Sequence, residues 1–154
     1  MAKGVRAAAT AAVLGVMFLA AAPAAAAGPV HADACRILVH DGVPMDSLTR
    51  SVVEGIFLGD IRFVGQVRVV PFTYGEGSAA ERDFVTQCLG ITAPAFRINW
   101  VRRVFREGIA PPRNASTTAT MLGAVDSTPG AVGYLAPDSA ETPHLPPRVR
   151  LLHY

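Results

Sequence analysis

The chain has almost no lysine: Lys3 is the only one among 14 basic residues, and the others are arginines. Arginine suits the recognition of oxyanions, but a coding bias toward arginine gives the same composition, so this alone assigns nothing. Cysteine is scarce too. Cys35 and Cys88, with four scattered histidines, fall short of a zinc-ligand set, and neither cysteine has local context that would lower its pKa toward a nucleophile. There is no G-x-S-x-G elbow, no Walker loop and no H-x-x-x-H spacing among His31, His40, His144 and His153. His40 beside Asp41 is the one close histidine–carboxylate pair, and Asp41-Gly42 reads first as a turn. The sequence therefore predicts a non-enzyme without metal or cofactor. Internal repeats and coiled-coil heptads are also absent.

What is present starts with a leader. "MAKGVR" is positively charged, "AAATAAVLGVMFLAAA" is apolar, and "PAAAA" ends in small residues with Ala25 and Ala27 in an A-x-A pattern. That order predicts an export signal over residues 1–27, cut before Gly28, with a cut after Ala32 as the alternative. The apolar core leans on alanine and is short beside the roughly 20 apolar residues of a membrane span. The remaining 127 of the 154 residues suffice for one domain, residues 28–154. Fourteen basic residues less Lys3 and Arg6 leaves 12, matching the 12 Asp and Glu. The formal charge of +2 thus belongs to the leader, and no electrostatic case for nucleic acid remains. The expected location is periplasmic or secreted, where Cys35 and Cys88 would form a disulfide.

Along the chain, "CRILVHDG" reads as a strand ending in a turn. "MDSLTRSVVEGIFLG" reads as a helix capped by Asp46 or Ser47, and "QVRVVPF" as a second strand, Gln66 to Val70, stopped by Pro71. "SAAERDFVTQCLG" carries a capping box of Ser78 and Glu81. "TAPAFRINWVRRVF" starts at a Thr92 cap with Pro94 in its first turn. "REGIAPPRNAS" reads as a loop with a short glycosylation-type match at Asn114. Ser116 then caps a helix over "TTATMLGAVD", and "GAVGYL" and "RVRLLHY" read as the last strands. Alternating strands and helices predict an α/β fold with a largely parallel sheet flanked by helices. The expected core is Ile56, Phe57, Val69, Phe84, Leu89, Trp100, Phe105 and Tyr134. In such a layer Cys35, opening the first strand, and Cys88, ending a helix that runs back, share one pole, opposite the strand ends where ligands collect.

The candidate site is the junction "TYGEGSAAERDF". Gly75 and Gly77 let the backbone approach a ligand, Ser78 offers a hydroxyl, Arg82 lies one turn on, and a helix start points free amides outward. Against this, Ser78 and Glu81 satisfy one another's backbone donors, and Glu81 puts negative charge where an anion would sit. An open cleft lined by amides favours a ligand; one filled by Phe72 and Tyr74 favours an interaction module.

"LTRSVVEGIFLGDIRF", "VRVVPF" with "GEGSAAERDF", "WVRRVF" and "TPGAVGYL", in that order, resemble the phosphate-type periplasmic solute-binding proteins, in particular their short single-lobe members. The match spans roughly residues 35 to 135, and its most specific parts are Ile56 to Ile61 and Thr128 to Leu135. The resemblance implies a single periplasmic-binding-protein-like lobe, a small phosphate-like oxyanion as ligand, and a membrane transporter of the ABC type or a sensor protein as partner. It also implies a ligand set of Glu76, Gly77, Ser78 and Arg82. Gly77 and Ser78 match the family's first Gly-Ser, and Glu76 stands where its acid lies. Tyr74 takes the place of an arginine, Ala79 that of a glycine and Ala80 that of a threonine, so two direct phosphate contacts are missing. Val64 stands where a tryptophan is usual. The alternative is an exported interaction or sensory module that keeps the fold without the ligand.

Overall fold

Among the described residues, four helices and seven strands follow one another in an order set largely by caps and glycines. The computed structural model describes residues 35–136 and 143–154; the expected signal over residues 1–27 lies outside them, as does the middle of the loop after Ala136. The elements are β1 Arg36–His40, α1 Arg50–Leu58, β2 Phe63–Val64, β3 Val67–Arg68, β4 Val70–Tyr74, α2 Ala79–Gln87, α3 Ala93–Glu107, β5 Arg113–Ala115, α4 Thr118–Ser127, β6 Ala131–Tyr134 and β7 Val149–His153. Among the described residues no helix is long and apolar enough to cross a membrane.

Local chemistry explains most boundaries. Thr92 caps α3 by accepting the Ala95 N–H, and Gly108 ends it in the left-handed region. α1 starts at Thr49, whose hydroxyl accepts from Val52 N, rather than at Asp46 or Ser47. α4 is capped by Thr117, one residue beyond Ser116. The expected strand over Gln66 to Val70 is divided: Val67 and Arg68 pair back onto Phe63 and Val64 across a Gly65–Gln66 turn, and β4 begins at Val70. Pro71 does not stop β4. Val70 N donates to Gly130 O on the β6 side, so the alternation of a strand turns the missing proline N–H toward β5, where pairing begins only at Phe72.

The fold is α/β as expected, and its main sheet is mixed, with parallel pairing across β5-β4-β6. The order is β5-β4-β6-β1-β7; β4 pairs parallel with β5 and β6, whereas β1 is antiparallel to both β6 and β7. Four strands thus share one direction and β1 opposes them. The stretch between β1 and β4 holds the β2–β3 hairpin as well as α1, so it is not a simple strand–helix–strand unit.

The reversal of β1 moves the disulfide. Cys35 and Cys88 are bonded, with Cα atoms 5.7 Å apart. Because Ile37 pairs with Tyr134 and Arg36 with His153, the start of β1 lies level with the ends of β6 and β7. The bridge therefore sits at the pole of the β4 end and Gly77–Ser78, not at the opposite one. α2 crosses this pole instead of running back along the sheet, placing the Phe84 ring on Tyr134 at the end of β6.

Of the expected core, Ile56, Phe57, Val69, Phe84, Leu89, Trp100 and Tyr134 belong to one buried cluster. Phe105 does not: it is 86 % exposed. α3 turns Phe96 and Trp100 inward and leaves Val101, Val104 and Phe105 outside. Its inner side also closes the end of α1. Asn99 Nδ2 donates to Leu58 O at 3.0 Å and Trp100 Nε1 to Phe57 O at 3.1 Å, and Arg103 reaches Gly59 O and Asp60. These contacts satisfy carbonyls that a helix end leaves open, which gives "IFLGDI" a structural role.

Candidate functional site

The loop from β4 into α2 is built around Gly77, whose φ of +77° is open to glycine and strained for other residues. Ser78 caps α2, its Oγ accepting Glu81 N at 3.1 Å, while Ser78 N donates to Gly75 O. The Glu81 carboxylate does not return to the cap residue as in a standard capping box. Its Oε2 accepts the Gly77 N–H at 2.6 Å. Glu81 is 3 % exposed, held in the first turn of α2 where a negative charge meets the positive end of the helix dipole.

The four sequence-predicted ligand residues do not converge on one point. Gly77 has given its amide to Glu81. Arg82 bends back over the first turn as an anion-binding arginine would, but its Nη1 donates to Gly77 O at 3.2 Å. Glu76 is exposed and pairs with Arg97 of α3 at 3.5 Å. The position filled by a ligand oxyanion in an anion cradle is filled here by the protein's own carboxylate. Phe72 and Tyr74 are both buried in the core.

Beside this loop lies a groove of about 340 Å³ between α3 and β5. Its floor includes Thr73 and Asn114, register partners on β4 and β5. Phe96, Trp100, Val104 and Phe105 of α3 form one wall, and Pro111 and Pro112 the other. Glu76, Arg97 and Glu81 are its charged lining residues, so one end is polar and the rest apolar. Thr73 Oγ1 is engaged with Tyr134 Oη at 2.9 Å. Val101 also lines the groove, and beyond it the apolar side of α3 continues to Ile98; the two are 57 % and 56 % exposed.

The groove lies beside the Gly77–Ser78 junction singled out in the sequence, with Glu76 and Glu81 among its lining residues. Phe105 is expected in the core but is exposed, and "REGIAPPRNAS" reads as a loop although Arg113–Ala115 forms the sheet edge β5. The signal that was available is the width of the apolar arc on α3, broader than one buried face needs. No protein-family model matches the chain, and no curated protein matches it.

Proposed function

We propose that the protein is an exported, non-enzymatic interaction or sensory module, built on a periplasmic-binding-like lobe, that works through the α3–β5 groove rather than by holding an oxyanion at Gly77–Ser78. The observation that carries this reading is the Glu81 carboxylate on the Gly77 N–H at 2.6 Å. It consumes the donor and repels the charge that an oxyanion site requires, while a largely apolar groove lies open next to it. A volume of about 340 Å³ is in the range of small-molecule sites, which are mostly apolar with a few placed polar groups. The Cys35–Cys88 disulfide supports an oxidising compartment.

Thermal shift and tryptophan fluorescence test this reading, since Trp100 is the only tryptophan and lines the groove. A neutral apolar probe, N-phenyl-1-naphthylamine, is expected to bind. Phe105→Asp is expected to abolish binding without unfolding the protein, because Phe105 is exposed. Phosphate and sulfate are expected to leave the melting temperature unchanged. Stabilisation by phosphate with no response to the apolar probe would replace this reading with that of an oxyanion receptor.

A further inference from the structure

Glu81 is 3 % exposed, and its side chain holds one hydrogen bond from the protein and lines the groove. Burying an ionised carboxylate is costly unless hydrogen bonds or a counter-charge offset it. Glu81 Oε2 has the Gly77 N–H, but its other oxygen makes no hydrogen bond among the described residues, and the side chain lines the groove. Arg97, the cation at the same end, is paired with Glu76. Two carboxylates against one guanidinium leave the groove one negative charge.

We propose that the groove binds an amphipathic organic ammonium, with Glu81 as its counter-ion and the α3 aromatic wall as the seat of its apolar body. This rests on the groove reading above and names the ligand class. The unpartnered oxygen accepts an N–H of the ammonium, and the charge of Arg97 at the same end is balanced by Glu76. Trp100, Phe96 and Phe105 supply aromatic surface, which favours a cation in addition to burying apolar atoms. An anion with the same body meets Glu81 as a like charge. Selectivity is therefore the reverse of what the resemblance to phosphate receptors implies.

The experiment compares three probes with one body, 2-phenylethylamine, 2-phenylethanol and 3-phenylpropionate, titrated against the purified protein by Trp100 fluorescence and calorimetry. The amine is expected to bind about tenfold or more tighter than the alcohol, a gap of the size cation–π and charge-pair terms supply, and the carboxylate not measurably. Glu81→Gln keeps the shape and an oxygen for Gly77 N–H, and is expected to bring the amine to the level of the alcohol. Phe105→Ala, at an exposed wall position, is expected to weaken amine and alcohol alike. Equal binding of amine and alcohol to the wild type overturns the ammonium proposal and leaves the groove reading standing, and this arm does not depend on a folded variant. An amine preference that survives in folded Glu81→Gln overturns the role of Glu81. Failure of every probe, N-phenyl-1-naphthylamine included, overturns both the groove reading and the proposal.

Discussion

The ring of Phe84 stacks on that of Tyr134, 7° from parallel with 3.6 Å between centroids. Phe57 meets both edge-on, at 4.8 Å and 5.7 Å. This cluster joins α1, α2 and β6 at the pole that also holds the disulfide and the candidate site. Phe84→Ala removes the ring that α2 contributes. The expected loss is about 3 to 5 kcal/mol, measured by urea denaturation. A loss under about 1 kcal/mol, the scale of ordinary substitutions, would mean that α2 is not anchored through this ring.

The disulfide fixes the far end of the same helix. Cys35 and Cys88 are 53 residues apart in sequence, and Tyr154 Oη donates to Cys88 O at 2.8 Å, so β1, α2 and the end of β7 meet there. Replacing both cysteines with serine is expected to cost about 2 to 4 kcal/mol, read as a lower denaturation midpoint. Equal midpoints for the variant and the oxidised wild type would count against the bridge as a stabilising element.

Glu81 takes the Gly77 N–H that an oxyanion bound at this helix start would need. Glu81→Ala frees the Gly77 amide and removes the negative charge. The variant is expected to lose about 1 to 3 kcal/mol, the scale of a charged hydrogen bond near a helix start. It is also expected to gain weak, salt-sensitive binding of sulfate or phosphate that the wild type lacks. Gly77→Asp is a poorer probe, because Gly77 stands at φ +77°. If folded Glu81→Ala shows no heat with either anion, Glu81 is not what closes the cradle.

What was legible in the sequence is what short-range chemistry decides. Thr92 and Gly108 bound α3, Ser78 begins α2, and seven of the eight expected core residues are buried in one cluster. The disulfide pairing follows from the only two cysteines of a chain whose sequence reads as exported, although the pole expected for it assumed a parallel β1. Strand direction was not legible, because a run such as "RILVH" looks the same either way up the sheet. Neither was the rotation of α3. Phe96 and Trp100 compete with Val101, Val104 and Phe105 for the inward side, and hydrogen bonds from Asn99 and Trp100 to the end of α1 decide between them. The groove depends on how α3 stands over β5, a relation between distant segments that no local pattern contains.

The last expectation concerns alkaline pH. Tyr134 is fully buried, and burial is the main cause that pushes its phenol up to about 12, against smaller opposing effects of its hydrogen bonds with Thr73 and the Tyr74 N–H. Tyr154, half-buried at the chain end, is also pushed up to about 12, again chiefly by burial. A raised phenol pKa means that the folded state holds its proton more tightly than the unfolded state. The contribution to stability is thus complete below the unfolded value near 10 and is lost as pH rises from there through about 12. For Tyr134 alone the rise to about 12 corresponds to something on the order of 2 to 3 kcal/mol. Urea midpoints are expected to hold steady up to about pH 10 and to fall steeply above it. Phenolate absorbance should show Tyr134 and Tyr154, two of the three tyrosines, ionising only near or with unfolding. Tyr134→Phe is expected to start from lower stability, having lost two buried hydrogen bonds worth about 1 kcal/mol each, and to show a shallower alkaline decline. Reversible ionisation of all three tyrosines near pH 10 in a protein that remains folded would show that this hydroxyl is not sealed in the core.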